Sequence, residues 1–251
     1  MIDPNVARAI VRDAGVAPGE DVIEIGAGLG SLTLALAAAG ARVTAVEFDR
    51  TVVPALREVA SDAPGVRVVE ADAMRLDWSW ALDGRADAWT LCANLPYNIA
   101  TPLVLDVLAE VPRIRRLVVM VQREVGERLV AAAGDEAYGA VSVRVAFRAS
   151  GSVVRRVRPD VFWPRPKVDS VVVRLDRLRE APVDVDEARL WAVVDEAFAQ
   201  RRKTMRNALR RLDLSPEEAD AVLAEAGVDP SARPEELSLD AFASLAVAMP
   251  T

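Results

Sequence analysis

Asn94-Leu95-Pro96-Tyr97, continued by Asn98-Ile99, places an amide, a rigid turn and an aromatic ring directly after the apolar run Trp89-Thr90-Leu91-Cys92-Ala93. The run reads as a buried strand, so the tetrapeptide falls in the loop at its carboxyl end, where open α/β sheets bind ligands. The Asn94 amide oxygen and the Leu95 carbonyl can each accept a hydrogen bond from an exocyclic amino group. Pro96 fixes the turn, and Tyr97 offers a face to a planar base. Taken alone, the tetrapeptide is equally compatible with an ordinary proline turn closing a strand.

A glycine loop upstream favours the chemical reading. Asp21-Val22-Ile23-Glu24-Ile25 reads as a strand, Gly26-Ala27-Gly28-Leu29-Gly30 as a turn, and Ser31 to Ala39 as a helix. Strand, glycine turn and helix in that order cradle a nucleotide-like ligand at a helix start. The spacing is G-x-G-x-G, not the G-x-G-x-x-G of dinucleotide sites, and Glu24 stands two positions before the first glycine. A carboxylate there repels phosphate and suits a cationic or amine-bearing ligand.

Two further carboxylates close the next apparent strands. Arg42-Val43-Thr44-Ala45-Val46 ends at Glu47, and Val66-Arg67-Val68-Val69-Glu70 runs into Ala71-Asp72-Ala73-Met74. A carboxylate ending the second strand, some twenty residues past the glycines, is placed to grip ribose hydroxyls. Asp72 can accept from an adenine amino group, while Phe48 and Met74 can pack on the ring faces. Any one of these charges alone is most simply a solvated loop residue. Together, at successive strand ends, they point to an adenosine-type cofactor without a pyrophosphate, namely S-adenosylmethionine.

The elements that must hold these residues alternate along the chain. Asp3-Pro4 opens a helix running to about Ala14. Strands fall near 21–25, 42–46, 66–69, 88–93 and 114–121, with helices between or after them, which predicts a doubly wound, mostly parallel sheet. Added strands near Ser152–Arg158 and Val168–Leu175 flank an aromatic loop. From Asp186 the pattern turns helical, with Leu190, Val193, Val194, Ala197 and Phe198 on one face. Ser215-Pro216-Glu217 opens another helix that Gly227 stops. The best boundary lies at Pro182 to Asp186, giving residues 1–182 and a small helical domain at 183–251.

Composition narrows the chemistry further. The 251 residues include one cysteine and no histidine, which argues against an internal disulfide, a Cys/His metal site and a histidine base. We therefore expect no metal, and Cys92 reads as a core residue. With no apolar run of membrane-spanning length and no signal peptide at Met1-Ile2-Asp3-Pro4, the expectation is a cytoplasmic protein without membrane association. A net charge of −7 hides two basic stretches, +5 over residues 155–179 and +6 over residues 201–211. Both lysines, Lys167 and Lys203, lie in them. Arg165, Lys167, Arg201, Arg202, Lys203 and Arg206 are the candidate phosphate contacts. For Arg210 and Arg211 a solvated helix face is a reasonable reading, and an acidic protein partner is a further alternative for the stretches.

Glu24-Ile25-Gly26-Ala27-Gly28-Leu29-Gly30, Glu47, Asp72-Ala73-Met74 and Asn94-Leu95-Pro96-Tyr97-Asn98-Ile99 resemble the motifs of ribosomal RNA adenine N6-dimethyltransferases. Val161-Phe162-Trp163-Pro164-Arg165-Pro166-Lys167-Val168-Asp169-Ser170, Phe198 to Leu209 and Arg233-Pro234-Glu235-Glu236-Leu237-Ser238-Leu239 are similar to the bacterial small-subunit branch. The resemblance spans essentially the whole chain. It implies a Rossmann-like S-adenosylmethionine-dependent methyltransferase sheet with a small C-terminal all-α, RNA-binding domain. The implied activity is methylation of N6 on two neighbouring adenines in a hairpin loop of small-subunit rRNA, each dimethylated, within an immature small ribosomal subunit. The family pattern also carries a basic stretch and a Gly-Gln-Asn-Phe-Leu segment, which meets the methionine part of the cofactor, ahead of the Ile2-Asp3-Pro4-Asn5 equivalent. This sequence opens at Met1, and as it stands the expectation is weak cofactor binding.

On this reading Tyr97 and Phe162 sandwich an extruded base, with Trp163 either stacking on RNA or packing. Three competitors remain at the sequence level. A non-catalytic ribosome-assembly module retaining the fold is opposed by the intact Asn94–Tyr97 motif with Glu47 and Asp72. A DNA or large-subunit rRNA methyltransferase is opposed by the stretch from Arg201 to Leu209. A nicotinamide dehydrogenase is opposed by the glycine spacing and the missing histidine.

Overall fold

The computed structural model describes residues 4–83, 86–96, 98–162 and 168–250. Helix α1 (Pro4–Ala14) leads into β1 (Asp21–Ile25), α2 (Ser31–Ala38), β2 (Arg42–Glu47), α3 (Val53–Ala60) and β3 (Val66–Glu70). The short α4 (Trp78–Ala81), β4 (Trp89–Asn94), α5 (Ala100–Glu110) and β5 (Ile114–Gln122) follow. After α6 (Arg123–Val130) and α7 (Ala140–Ala146), β6 (Ala149–Val157) and β7 (Ser170–Arg177) complete one sheet, in the order β3-β2-β1-β4-β5-β7-β6. The strands β1 to β5 pair in parallel, and β7 runs antiparallel to both neighbours.

Chain order reverses at β1, whose neighbours are β2 and β4. Such a switch point opens a crevice at the carboxyl ends of the strands. Residues of β1 and all but the last of β4 are buried on both faces, as a sheet covered by helices demands. The main core joins Ile10 and Ala14 of α1 to Leu32 and Leu36 of α2 and to strand residues Val22, Val43, Cys92, Val118 and Met120. Helix α1 is also tied down by ions: Arg155 of β6 grips Asp13 with two hydrogen bonds, and Arg116 of β5 donates to the Ala14 carbonyl.

The remaining helices are α8 (Glu187–Ala199), α9 (Met205–Leu209), α10 (Pro216–Ala226) and α11 (Leu239–Ala248). Asp186 caps α8 by accepting from the Arg189 amide. Ser215 and Glu218 form a reciprocal capping box on α10, which Gly227 ends in a left-handed conformation. These helices share a core containing Leu190, Val193, Leu209, Leu223 and Phe242.

The single boundary expected at 182/183 is corrected by the contacts. One compact unit comprises the chain up to Glu127 together with Ala149–Arg177, and the other comprises Arg128–Arg148 together with the chain from Leu178 onward. Tyr138, Val143 and Phe147 belong to the helical core, and the buried Tyr138 hydroxyl donates to the Leu237 carbonyl at 2.8 Å. Nothing in local composition marks this excursion, because it is set by which distant apolar surface the segment covers.

Candidate active site

The turn after β1 is held by β2. The amides of Gly26 and Ala27 donate to the Val46 carbonyl at 2.9 and 3.1 Å. Glu47, ending β2, accepts from the Gly28 amide through Oε2 at 2.7 Å and from the Asp49 amide through Oε1 at 2.9 Å. Its carboxylate thus shapes the glycine turn. Gly28 has φ +55, and a Cβ built there would meet nothing within 4 Å, so the turn presents bare backbone to open space. Gly30 serves packing instead, since a Cβ there would press Leu56 and Val59 of α3 at 3.2 and 3.3 Å.

Asp72, beyond β3, accepts from the Met74 amide at 3.0 Å and thereby fixes the turn carrying Ala73 and Met74. Ala73 is buried, whereas Met74 is 38% and Phe48 70% exposed. Two large apolar side chains left in solvent beside two carboxylates match what an adenosine would cover. Glycine turn, Glu47 and Asp72 therefore suit the cofactor class expected from the sequence.

Glu24 does not stand in the crevice. It is 1% exposed and accepts a 2.5 Å hydrogen bond from the Thr33 hydroxyl of α2. Burial first, with a smaller contribution from the Glu47 charge, pushes its carboxyl up to about 8 against the opposing Thr33 bonds. At neutral pH the group is mainly protonated. The expected anionic ligand contact is thus replaced by a neutral clamp joining β1 to α2. Sequence reasoning misses Thr33; its one signal is a hydroxyl set among Leu32, Leu34 and Leu36 of α2. Cys92, paired in register with Glu24, is fully buried, and burial pushes its thiol up.

On the other side of the switch point β4 delivers Asn94, half-buried at the strand end. Leu95 is buried, and its amide donates to the Met120 carbonyl of β5 at 3.1 Å. The Pro96 carbonyl accepts from Ile99 at 3.3 Å, closing the turn that feeds α5. Phe162 is half-buried and packs partly on the main core. Tyr97, Trp163, Arg165 and Lys167 lie outside the described residues. No group of three or more Cys, Asp or Glu residues placed to hold a metal occurs among the described residues.

The second basic stretch is less uniform than its charges suggest. Arg206 is engaged by Asp220 through two hydrogen bonds of 2.6 and 2.7 Å, and Arg211 bonds Glu196. Arg201 donates to the Glu136 carbonyl at 2.7 Å. Arg202 and Lys203 are exposed, with no ion pair among the described residues. Arg206 thus differs from the open phosphate contact the sequence suggested, since its charge is already matched.

A seven-stranded sheet switched at β1/β4, with a glycine turn, strand-end carboxylates and an amide motif along its carboxyl edge, defines a Rossmann-like methyltransferase. A family model described as ribosomal RNA adenine dimethylase matches residues 1–249. The chain belongs to that family. A ribosomal RNA small subunit methyltransferase A of Rhodococcus opacus is 46% identical over 260 residues, covering 99% of this chain and 86% of that protein. The protein of the same name from Thermobifida fusca is 47% identical over 251 residues, covering 98% and 86%. Among solved structures, a dimethyladenosine transferase from Plasmodium falciparum superposes with a TM-score of 0.83 at 24% identity over 98% of this chain and 95% of that one, a likeness of fold. The 23S rRNA methyltransferase ErmE superposes at 0.75 with 27% identity, covering 98% and 97%.

Proposed function

We propose that this chain transfers methyl groups from S-adenosylmethionine to N6 of adenines in small-subunit ribosomal RNA, two neighbouring adenines being the expected targets. The pairing of Ile25 with Ala93 carries the reading: it makes the glycine turn and Asn94 emerge side by side from adjacent strands. The relatives named for small-subunit methylation are 39–47% identical, against 27% for the large-subunit enzyme. That contrast supports the small subunit as substrate, met as an immature particle in the cytoplasm. No described helix is long and apolar enough to cross a membrane.

Glu47 and Asp72 would hold the ribose and adenine of the cofactor, with Phe48 and Met74 against the ring. The bound cofactor supplies an electrophilic methyl group on a sulfonium. Adenine N6 is a poor nucleophile because its lone pair is delocalised into the ring. Asn94 Oδ1 and the Leu95 carbonyl, by accepting from its two N–H groups, favour a pyramidal nitrogen and free that pair. Tyr97 and Phe162 would stack on the extruded base. Holding the amine edge beside the cofactor supplies the orientation that such a displacement needs. No strong base is required, since the amine proton becomes acidic only once the methyl is attached, which suits a chain without histidine. Glu24, held neutral under the turn, serves as a positioning residue.

The test is to incubate the chain with labelled S-adenosylmethionine and small subunits lacking these methyl groups, then digest the RNA to nucleosides. Label in N6-methylated adenosine of the small subunit is expected. No label, or label only with large-subunit RNA, contradicts the proposal.

A further inference from the structure

One hollow on the sheet's carboxyl edge takes no part in the chemistry above. It encloses about 250 Å³ and is lined by Gln122 at the end of β5, Arg123 and Glu124 of α6, and Val168 and Asp169 before β7. That volume is just under the ~300 Å³ at which pockets for drug-sized ligands begin, so the hollow suits one ring-sized group. Its walls are set by backbone: the Arg123 amide donates to the Asp169 carbonyl at 3.0 Å, and Gln122 pairs with Ser170. Helix α6 lies flush on β7, because a Cβ at Gly126 would fall 2.2 Å from Val171 Cγ2.

Its position is informative. Asn94 of β4 pairs with Met120 of β5, so Gln122 lies two residues further along the adjacent strand. At ~3.3 Å per residue and ~4.8 Å between strands, Gln122 lies roughly 8 Å from Asn94, a separation that one adjoining nucleotide can bridge.

Its chemistry is mixed in a specific way. Glu124 and Asp169 are exposed and have no side-chain partner among the described residues. Ionised carboxylates only accept hydrogen bonds. They oppose a phosphate and suit the amino edge of a base, while Val168, 41% exposed, offers an apolar face. Arg123 reaches Glu127 only at 4.0 Å and is half exposed, which leaves its guanidinium available to a phosphodiester. Gln122 can both donate and accept.

We propose that this hollow is a specificity subsite for the nucleotide adjoining the target adenine, with Glu124 and Asp169 reading an amino-bearing base edge and Arg123 holding the linking phosphate. The inference rests on the methyl-transfer reading above. Uracil, whose single ring N–H is flanked by carbonyl oxygens, should be disfavoured there.

The experiment uses the full chain, S-adenosylmethionine and unmethylated small subunits carrying either an amino-bearing base or uracil beside the target. Wild-type protein should favour the amino-bearing base by about tenfold in kcat/KM, the discrimination typical of one good side-chain–base contact. The Glu124→Gln/Asp169→Asn double variant should lose that preference and raise KM for the particle more than it lowers kcat, with cofactor affinity unchanged. Arg123→Gln should raise KM for both substrates alike. All three side chains are exposed, and an unchanged Tm would exclude misfolding. An undiminished base preference in the double variant overturns the subsite, as does a loss of cofactor affinity. Absence of any transfer by wild-type protein overturns the methyl-transfer reading itself, and the subsite with it.

Discussion

A Cβ placed on Gly26 would lie 3.5 Å from the Asn94 carbonyl oxygen, so the first residue of the glycine turn and the last residue of β4 lie side by side across the switch point. At 3.5 Å there is room for a methyl group. The obstacle to substitution is the backbone, held at φ +74. Gly26→Ala should therefore cost about 1–2 kcal/mol of stability and displace the amide motif together with the cofactor turn. Stability to denaturant and kcat should both decline, and an unchanged kcat would show that the two loops move independently.

Glu47 should matter through its shape as much as its charge. It binds two backbone amides in the ligand-free turn, at 2.7 and 2.9 Å. Glu47→Ala removes both bonds and the proposed ribose grip, and cofactor affinity by calorimetry should fall at least tenfold, given ~1.5–3 kcal/mol for a charge-assisted hydrogen bond. Affinity within twofold of wild type would remove Glu47 from the site.

The buried Glu24 predicts a pH dependence with a definite sign. Its folded pKa, raised to about 8 from an ordinary 4.5, means that the folded state retains a proton the unfolded chain loses. Its contribution is fully present below about 4.5 and is lost progressively as pH rises to about 8, with a slope approaching ~1.4 kcal/mol per unit. Glu24→Gln, which keeps a partner for Thr33 without titrating, should flatten that slope. Parallel stability curves for the two proteins between pH 5 and pH 8 would contradict the assignment.

The basic stretch divides by pairing. Replacing Arg202 and Lys203 with glutamine should reduce the salt dependence of RNA binding, by roughly 0.7–0.9 in slope for each phosphate no longer neutralised. Arg206→Gln should leave the slope nearly unchanged, because Asp220 already neutralises that charge. A large change from Arg206 alone would mean that RNA displaces Asp220.

Legibility followed the range of the forces involved. The five parallel strands, the glycine turn and the amide motif were readable, since apolar runs, turn residues and caps are local signals: β1 and β2 begin where the sequence placed them, and Gly227 stops α10 as expected. What escaped was set by distant partners. Glu24 reads as a ligand-facing carboxylate because a single hydroxyl nine residues on does not announce that Thr33 will cover it. Arg206 looked available because Asp220 is fourteen residues away. Residues 128–148 looked like part of the first domain because Tyr138 finds Leu237 only in three dimensions.

The most direct measurement is a paired assay of Asn94→Ala, following label from S-adenosylmethionine into small subunits and, separately, equilibrium binding of the cofactor. Turnover should fall by about 10²–10³, the usual effect of removing one preorganised polar contact to a reacting group, while the cofactor dissociation constant stays within about threefold. Turnover close to wild type, with Asn94 gone, would contradict the role assigned to its amide.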